Sequence, residues 1–564
     1  MKIYLNNENV ELNGGNSMKQ KNVVWLPHLS EEIVSDARGP ELDAYAVALE
    51  GWRRGLQLKW HTKDSERFSE IKTWFVDRPG KLFSLTSGEK THYFFRTRGD
   101  KVTNEAVEIG ADKEKTKEYL LKAGVNIPDG KQFSKDVSNE EIAVYGDSLG
   151  FPVVLKPTDG SFGRGVVTNI MSEEELIQSL QHVRSQLKYE DVIVERFIPG
   201  KEYRIYVVDD KVVAAVYRIP ANVVGDGENT IQTLIEKKNE ERSLNPRLIS
   251  CPIKVDLEMK NHLEKFGLYL ESVPKKGEQV FLTDKSNVSI GGDPVDVLDE
   301  LSEKVKETAV KALRAIPDLY HGAVDLIIEE NEDAQQEVVI IELNPTAQIG
   351  ALLYPMQGKS RDVPAAIIDF YFPETSGIHI EREKIYFDFP TVIEPLVSKS
   401  ARVSTVSKAP LGNLYAIKYT VSGDVQSVDY HRGLRKQAFE RNLSGFIKNL
   451  ETGDIEVVVI GTEKENVGDF KNAILDDPER SDVAEIKESP WNEPVKIGFE
   501  VKADLKMQVE QLKQMMQEMN VVQKELKEAE KIYRNYSRTI SWQITYPFRK
   551  ITDLFKFLVR LVTK

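Results

Sequence analysis

The sequence predicts a multidomain α+β protein that ends in a coiled coil and an amphipathic helix, and three observations carry that expectation. At 564 residues the chain is too long for a single hydrophobic core. Between 111 and 375 β-rich apolar runs alternate with helical patterns, and 411–501 reads strand, helix, strand, strand, helix, strand, a ferredoxin-like order. Beyond 502 the apolar residues switch to the 4,3 spacing of a coiled-coil seam.

Composition narrows the function classes. Apolar residues make up 40% and charged residues 29% of the chain, as in ordinary globular domains. A net charge of −14 argues against a nucleic-acid partner, whose binding face would be basic. The single cysteine, Cys251, excludes internal disulfides and suits a reducing cytoplasm. The opening MKIYLNNENVELNGG has no apolar core of a signal peptide, and no run of about 18 apolar residues occurs, so a cytoplasmic location is expected.

The elements follow in order. Residues 1–21 are polar and are expected to be disordered; 22–110 mix short apolar runs with the helical pattern ELDAYAVALEGWRRG and read as a small α/β domain. The segment ADKEKTKEYLLKAGVNIP, 111–128, is a helix stopped by Gly124 with Pro128 beyond. Strands are expected at 152–157, 191–197, 202–208, 211–219, 323–329 and 338–344, and helices at 173–187 and 295–315. Residues 376–410 are punctuated by prolines and read as a linker. Leu505, Val509, Leu512, Met516, Met519 and Leu526 form the seam of a coiled-coil helix over 502–536, a homodimer contact. In the tail, 537–564, Phe548, Ile551, Phe555, Leu558 and Val562 share one helical face, with Arg549, Lys550, Lys556 and Arg560 largely off it. Such a basic amphipathic helix predicts peripheral contact with the inner face of the plasma membrane.

The chemistry lies in VVLKPTDGSFGRGV, 153–166, and VVIIELNP, 338–345. Lys156 ends a strand and can reach phosphate oxygens. Gly160, Gly163 and Gly165 let backbone N–H groups approach them closely. No GxxxxGK[ST] motif is present, so this is not a Walker loop. Asp325, Glu342 and Asn344 place two carboxylates and an amide oxygen on adjacent strands, and hard oxygen ligands of this kind suit Mg²⁺ shared with phosphates.

Residues 110–375 resemble the ATP-grasp ligases, in particular cyanophycin synthetases and bifunctional glutathione synthetases, through DKEKTKEYLLKAGVNIP, PVVLKPTDGSFGRGV, VIVERFIPGKEYRIYVV, VVGDGENTIQTLI, VPKKGEQVFL, SNVSIGGDPVD and IIELNPTAQI. The resemblance implies a two-lobed ATP-grasp fold over 111–375 that phosphorylates a carboxylate and passes the acyl phosphate to an amine, with ATP and Mg²⁺ (or Mn²⁺) as cofactors. It implies phosphate contacts from Lys113 and Lys156, and a closing flap over Gly160, Ser161, Gly163, Arg164 and Gly165. It implies an adenine hinge at Glu195, Arg196, Phe197 and Ile198, a ribose contact at Glu202, and Asp325, Glu342 and Asn344 as metal ligands. Two departures stand out: Thr283 where such chains usually carry arginine, and TAQIGALL after Asn344 where a histidine is common. Arg218, with Arg204 or Arg164, is the expected replacement on the reacting side. The substrates implied are small amino acids or peptides.

Residues 411–501 resemble acylphosphatase, through VSGDVQSVDYHRGLRKQAFERNLSGFIKNLETGDIEVVVIG. In that family a loop of backbone N–H groups and an arginine at the next helix N-terminus hold a phosphate, and an asparagine positions water. Here Asn449 is present, His431 takes the arginine's place with Arg432 beside it, and Ser427 stands where glycine is common. Two functional classes follow: a carboxylate–amine ligase, or an acyl-phosphate hydrolase or binding regulator whose ATP-grasp half senses nucleotide.

Overall fold

A computed structural model describes residues 23–65, 67–74, 76, 78–159, 164–330, 336–378, 380–476 and 481–502, with 516, 519, 522–523 and 525–529. The polar N-terminus, Gly160, Ser161 and Gly163 of the flap, most of the heptad segment and the amphipathic tail lie outside these residues. Met516, Met519 and Leu526 are helical and exposed. Two compact units are present. The first holds the described residues up to Tyr415 with Gly461–Lys464 and Asn492–Ile497; the second holds Ala416–Ile460, Glu465–Trp491 and the described residues from Gly498.

Three sheets organise the first unit. An antiparallel sheet is ordered Val403–Thr405, Gln57–His61, Leu82–Ser87, Lys90–Phe95 and Arg98–Gly99. The helix Leu42–Arg53, buried at all of its positions, lies against it. A four-stranded sheet follows, ordered Gly130–Phe133, Val192–Arg196, Val153–Pro157 and Val167–Ile170. The third sheet is antiparallel and ordered Asp293–Asp296, Lys211–Ile219, Lys201–Val208, His321–Glu330 and Gln336–Asn344. Its apolar face, including Ile205, Val207, Val324, Leu326 and Ile340, packs under the helix Glu303–Arg314 through Val305, Ala309 and Leu313. Alternation along these strands sends Arg204 and Asp325 to the opposite face, and the register shift that skips Ile341 brings Glu342 there too, which is the reason a polar site forms there.

Two expectations are corrected. The amphipathic pattern at 295–315 begins as a strand: Asp293–Asp296 pairs with Val216–Ile219 at the sheet edge, and the helix starts at Glu303. Apolar residues at 295, 297, 298 and 301 satisfy both periodicities, and the unpaired edge of Lys211–Ile219 selects the strand. The stretch 376–410, expected as a linker, carries the helix Phe389–Val397 and the strand Val403–Thr405, which bonds Lys59–His61. Pro390 sits in the first helical turn, where its missing N–H costs nothing.

The second unit is a ferredoxin-like sandwich. Strands are ordered Asp482–Pro490, Tyr415–Asp424, Ile455–Gly461, Ser444–Asn449 and Phe499–Lys502. Helices Val428–Glu440 and Lys464–Leu475 supply Tyr430, Leu434, Val467 and Phe470 to a core shared with Tyr419, Ile447 and Val457. Among the described residues no helix is long and apolar enough to cross a membrane.

Candidate functional site

A cavity of about 480 Å³ opens between the four-stranded and five-stranded sheets of the first unit. One wall is built on Val153–Pro157 and Val192–Arg196, which pair antiparallel with Val154 opposite Glu195. Glu195 is 3% exposed and is gripped by Lys156 and by Lys117, whose Nζ lies 2.7 Å from Oε1. Burial alone would raise its carboxyl, but the two ammonium groups outweigh burial and hold it below the usual range. Lys113 opens the helix Lys113–Lys122, capped by Asp112, and its Nζ donates to the Thr158 carbonyl at 2.9 Å. Burial lowers the Lys113 ammonium despite the nearby Glu342 carboxylate.

At the end of this wall Arg196, Phe197 and Ile198 line the cavity. The N–H groups of Arg196 and Phe197 are committed to the Asp129 and Pro152 carbonyls at 2.8 and 3.1 Å, so Ile198 is the residue of the three whose N–H makes no backbone bond among the described residues. Gly200 then turns into the next strand at a φ of 145°, where a Cβ would meet the Ile328 carbonyl at 2.4 Å. Of the flap, Gly165 has a φ of 75° and Arg164 is exposed and outside the cavity wall.

The opposite wall is a row across three strands. Arg204 sits opposite Asp325, and Asp325 opposite Glu342. Arg204 forks onto Asp325 with both bonds at 2.8 Å, and Arg218 approaches Asp325 at 3.3 Å while bonding Glu202. The Ser286 hydroxyl donates to the other Glu202 oxygen. Burial pushes the Asp325 carboxyl up, and the two guanidinium groups overcome that and hold it low. Glu342 opens onto the cavity but is flanked by protein; desolvation and then the Asp325 charge raise its carboxyl. Asn344 Nδ2 donates to Asp325 at 3.4 Å, leaving Oδ1 as an acceptor.

Asp325, Glu342 and Asn344 therefore offer only oxygen, which fits Mg²⁺ or Mn²⁺. Among the described residues no cluster of three His, Cys, Asp or Glu could close around an ion, so a divalent cation here needs phosphate oxygens to complete its shell. Sequence reasoning missed Lys117 and Ser286. Lys117 was within reach, since it stands one helical turn after Lys113 in KEKTK. Ser286 arrives from a loop 84 residues from Glu202, a separation no local pattern encodes. Thr283 is outside the wall, whereas Lys285 of the same loop lines it and pairs with Glu258 at 2.6 Å.

In the second unit His431 lies in the first turn of Val428–Glu440, which Ser427 caps. It is 6% exposed, its Nε2 is 3.2 Å from the Val425 carbonyl, and burial lowers its imidazole. Arg432 instead faces solvent near Asp429 at 3.7 Å, with 76% of its side chain exposed. Asn449 ends the strand Ser444–Asn449, its Oδ1 buried with no partner among the described residues. Gln426 Nε2 ties the loop to the Leu450 and Asp454 carbonyls at 3.3 and 3.1 Å.

Comparison with known proteins bears on both units. Residues 110–239 match the model of the RimK-like ATP-grasp domain, and 417–501 that of acylphosphatase. The chain is 35% identical over 277 residues to cyanophycin synthetase of Crocosphaera subtropica, covering 48% of this chain and 31% of that one. It is 30% identical over 341 residues to the glutathione biosynthesis bifunctional protein GshAB of Clostridium perfringens, covering 59% and 41%. It thus spans well under half the length of these curated relatives. A solved acylphosphatase from Coxiella burnetii is 31% identical, with 16% of this chain and 94% of that one covered and a TM-score of 0.15.

Proposed function

We propose that this chain, in which an ATP-grasp domain is joined to an acylphosphatase-like domain, is an Mg-ATP-dependent carboxylate–amine ligase. The observation that carries the reading is one cavity in which Lys113 and Lys156 stand across from the Asp325, Glu342 and Asn344 oxygens, with Arg218 between Glu202 and Asp325. Cations on one side and oxygen ligands on the other are what a triphosphate with a divalent ion requires.

In this reading Lys113 and Lys156 bind phosphate oxygens, and the Glu195 carboxylate fixes Lys156 in place. The Ile198 N–H and the Phe197 ring hold the adenine, and Glu202 accepts the ribose hydroxyls. Mg²⁺ or Mn²⁺ at Asp325, Glu342 and Asn344 supplies charge neutralisation across the phosphates. A carboxylate oxygen of the acid attacks the terminal phosphorus and ADP leaves. The nitrogen of the neutral amine then attacks the acyl carbon, the C–O bond to the phosphate breaks, and phosphate leaves with the amine's proton, with the Arg218 guanidinium neutralising the developing charge. The acid and amine belong to the amino-acid and peptide class.

The test is ADP release with Mg-ATP and a panel of amino acids and short acidic peptides, products read by mass spectrometry. Lys156→Ala lowers ADP release by about 10²–10³ if the ligase reading holds. Unchanged release, or hydrolysis of a model acyl phosphate as the only activity, overturns it in favour of the hydrolase. His431 argues against the hydrolase: a neutral, buried imidazole bonded to the loop's own carbonyl offers no fork to a phosphate. Homodimerisation through 502–536 and membrane contact through 537–564 complete the proposal. Light scattering and liposome flotation of the full chain against one ending at 536 test them.

A further inference from the structure

Two arginines on the cavity wall stand outside the machinery assigned above. Arg96 occupies the turn between Lys90–Phe95 and Arg98–Gly99, on the first sheet. Its φ of 55° lies in the left-handed region that long side chains rarely adopt. Its Nε is buried without a partner among the described residues. Arg247, 7% exposed, donates to Ser250 Oγ at 2.8 Å and Gln348 Oε1 at 2.6 Å, both uncharged. Among the described residues neither arginine forms a salt bridge, whereas Lys156, Arg204 and Arg218 at the same cavity are all paired with carboxylates. Asp43 acts on both arginines only at a distance, because its Oδ1 accepts the Ile349 and Gly350 N–H groups at 3.0 and 2.9 Å.

Both arginines converge on the run after Asn344. The Thr97 hydroxyl donates to the Ala347 carbonyl at 3.1 Å and so bolts the Arg96 turn to this run. The Arg247 stem crosses Gly350, where a Cβ would come within 2.4 Å of Cδ. Arg96 is half-buried, and the Asp43 and Glu41 charges reach it without forming an ion pair; a strained turn that presents such a guanidinium to a cavity makes sense when an anion arrives there.

We propose that Arg96 and Arg247 form a carboxylate subsite: the substrate is an amino acid or peptide with a free carboxylate that is not the one activated, held by the two guanidinium forks beside Thr346–Gly350. This rests on the ligase reading and extends it. It gives the small N-terminal sheet a share in substrate choice, and it gives the TAQIG run a role as the floor beneath both arginines.

The experiment is calorimetry on the full chain with Mg²⁺ and a non-hydrolysable ATP analogue, titrating L-aspartate, L-glutamate and dipeptides ending in either, each beside its α-carboxamide. The wild-type chain binds at least one free acid about thirtyfold tighter than its amide. Arg96→Gln removes that preference, with nucleotide affinity unchanged within about twofold; loss of a desolvated charge contact is of this size or larger. Arg96→Lys recovers part of it, since it restores charge but not the fork. Gln348→Glu leaves Arg96 intact and gives Arg247 an internal carboxylate, weakening the acid about tenfold; it carries the test if Arg96→Gln does not fold. The proposal fails if the wild type prefers no acid to its amide, if both variants bind acids as the wild type does, or if Arg96→Gln weakens nucleotide as much as acid. A chain that shows the preference yet releases no ADP with any amine keeps the subsite and loses the ligase reading.

Discussion

The cavity of the first unit and the phosphate-type loop of the second solve the same electrostatic task with opposite means. In the first, permanent cations are held by buried carboxylates: Arg204 and Arg218 by Asp325, Lys156 by Glu195. In the second, the position before Arg432 holds a neutral imidazole that bonds the loop itself, and the arginine beside it points to solvent. The contrast teaches that an anion site is specified by the carboxylates that hold and orient its cations as much as by the cations. The second unit keeps the fold and Asn449 but lacks that support.

The comparison can be broken at its strongest point first. Asp325→Asn strips the counter-charge from two buried guanidinium groups and should destabilise the first unit by about 3–5 kcal/mol; a melting curve unchanged from wild type would show that the row is not a structural keystone. Lys156→Ala should lower kcat for ADP release by about 10²–10³ with little loss of melting temperature, because Lys117 still satisfies Glu195.

The pH response separates the units next. Burial lowers His321 to about 3 and His61 to about 4, so the folded first unit excludes protons that the unfolded chain binds near 6.5. Both folded values lie below the unfolded one, so this stability is whole above pH 6.5 and declines as pH falls towards 4. The slope is about 1.4 kcal/mol per pH unit for each histidine. Denaturant melts from pH 7 to 4.5 should show it, and His321→Asn should flatten it. His431 contributes with the same sign in the second unit, so melts resolved by unit give the contrast directly.

A smaller effect sharpens the second half. His431→Arg restores a permanent fork and should raise hydrolysis of a model acyl phosphate about tenfold; no gain would mean the loop, and not the missing charge, silences the unit. The smallest expected effect is Asp112→Ala, which uncaps the helix carrying Lys113 and Lys117. It should cost about 1 kcal/mol and weaken nucleotide binding only slightly.

Much of the fold was legible because it is written in local periodicity. The apolar runs at 202–208 and 338–344 are strands, and the strand and helix order expected over 411–501 is the order of elements found there. Where two periodicities coincide, as at 295–301, the sequence alone chose the helix and the free sheet edge decided otherwise. Prolines at 390, 395 and 410 suggested a linker, yet the stretch carries the helix Phe389–Val397 and the strand Val403–Thr405, which pairs at the edge of the neighbouring sheet.

By itself the sequence determined the parts: strand-borne Lys156, the Glu195 and Glu202 carboxylates, the ELN strand end, and the replacement of arginine by His431. Each is a residue type fixed to one element, and short-range spacing suffices to read it. Tertiary structure alone decided who neutralises whom. Glu202 meets Ser286, Arg204 meets Asp325, and Thr97 meets Ala347 across large sequence separations. Charge pairing depends on distance and desolvation, both of which are properties of the folded cavity and not of order along the chain.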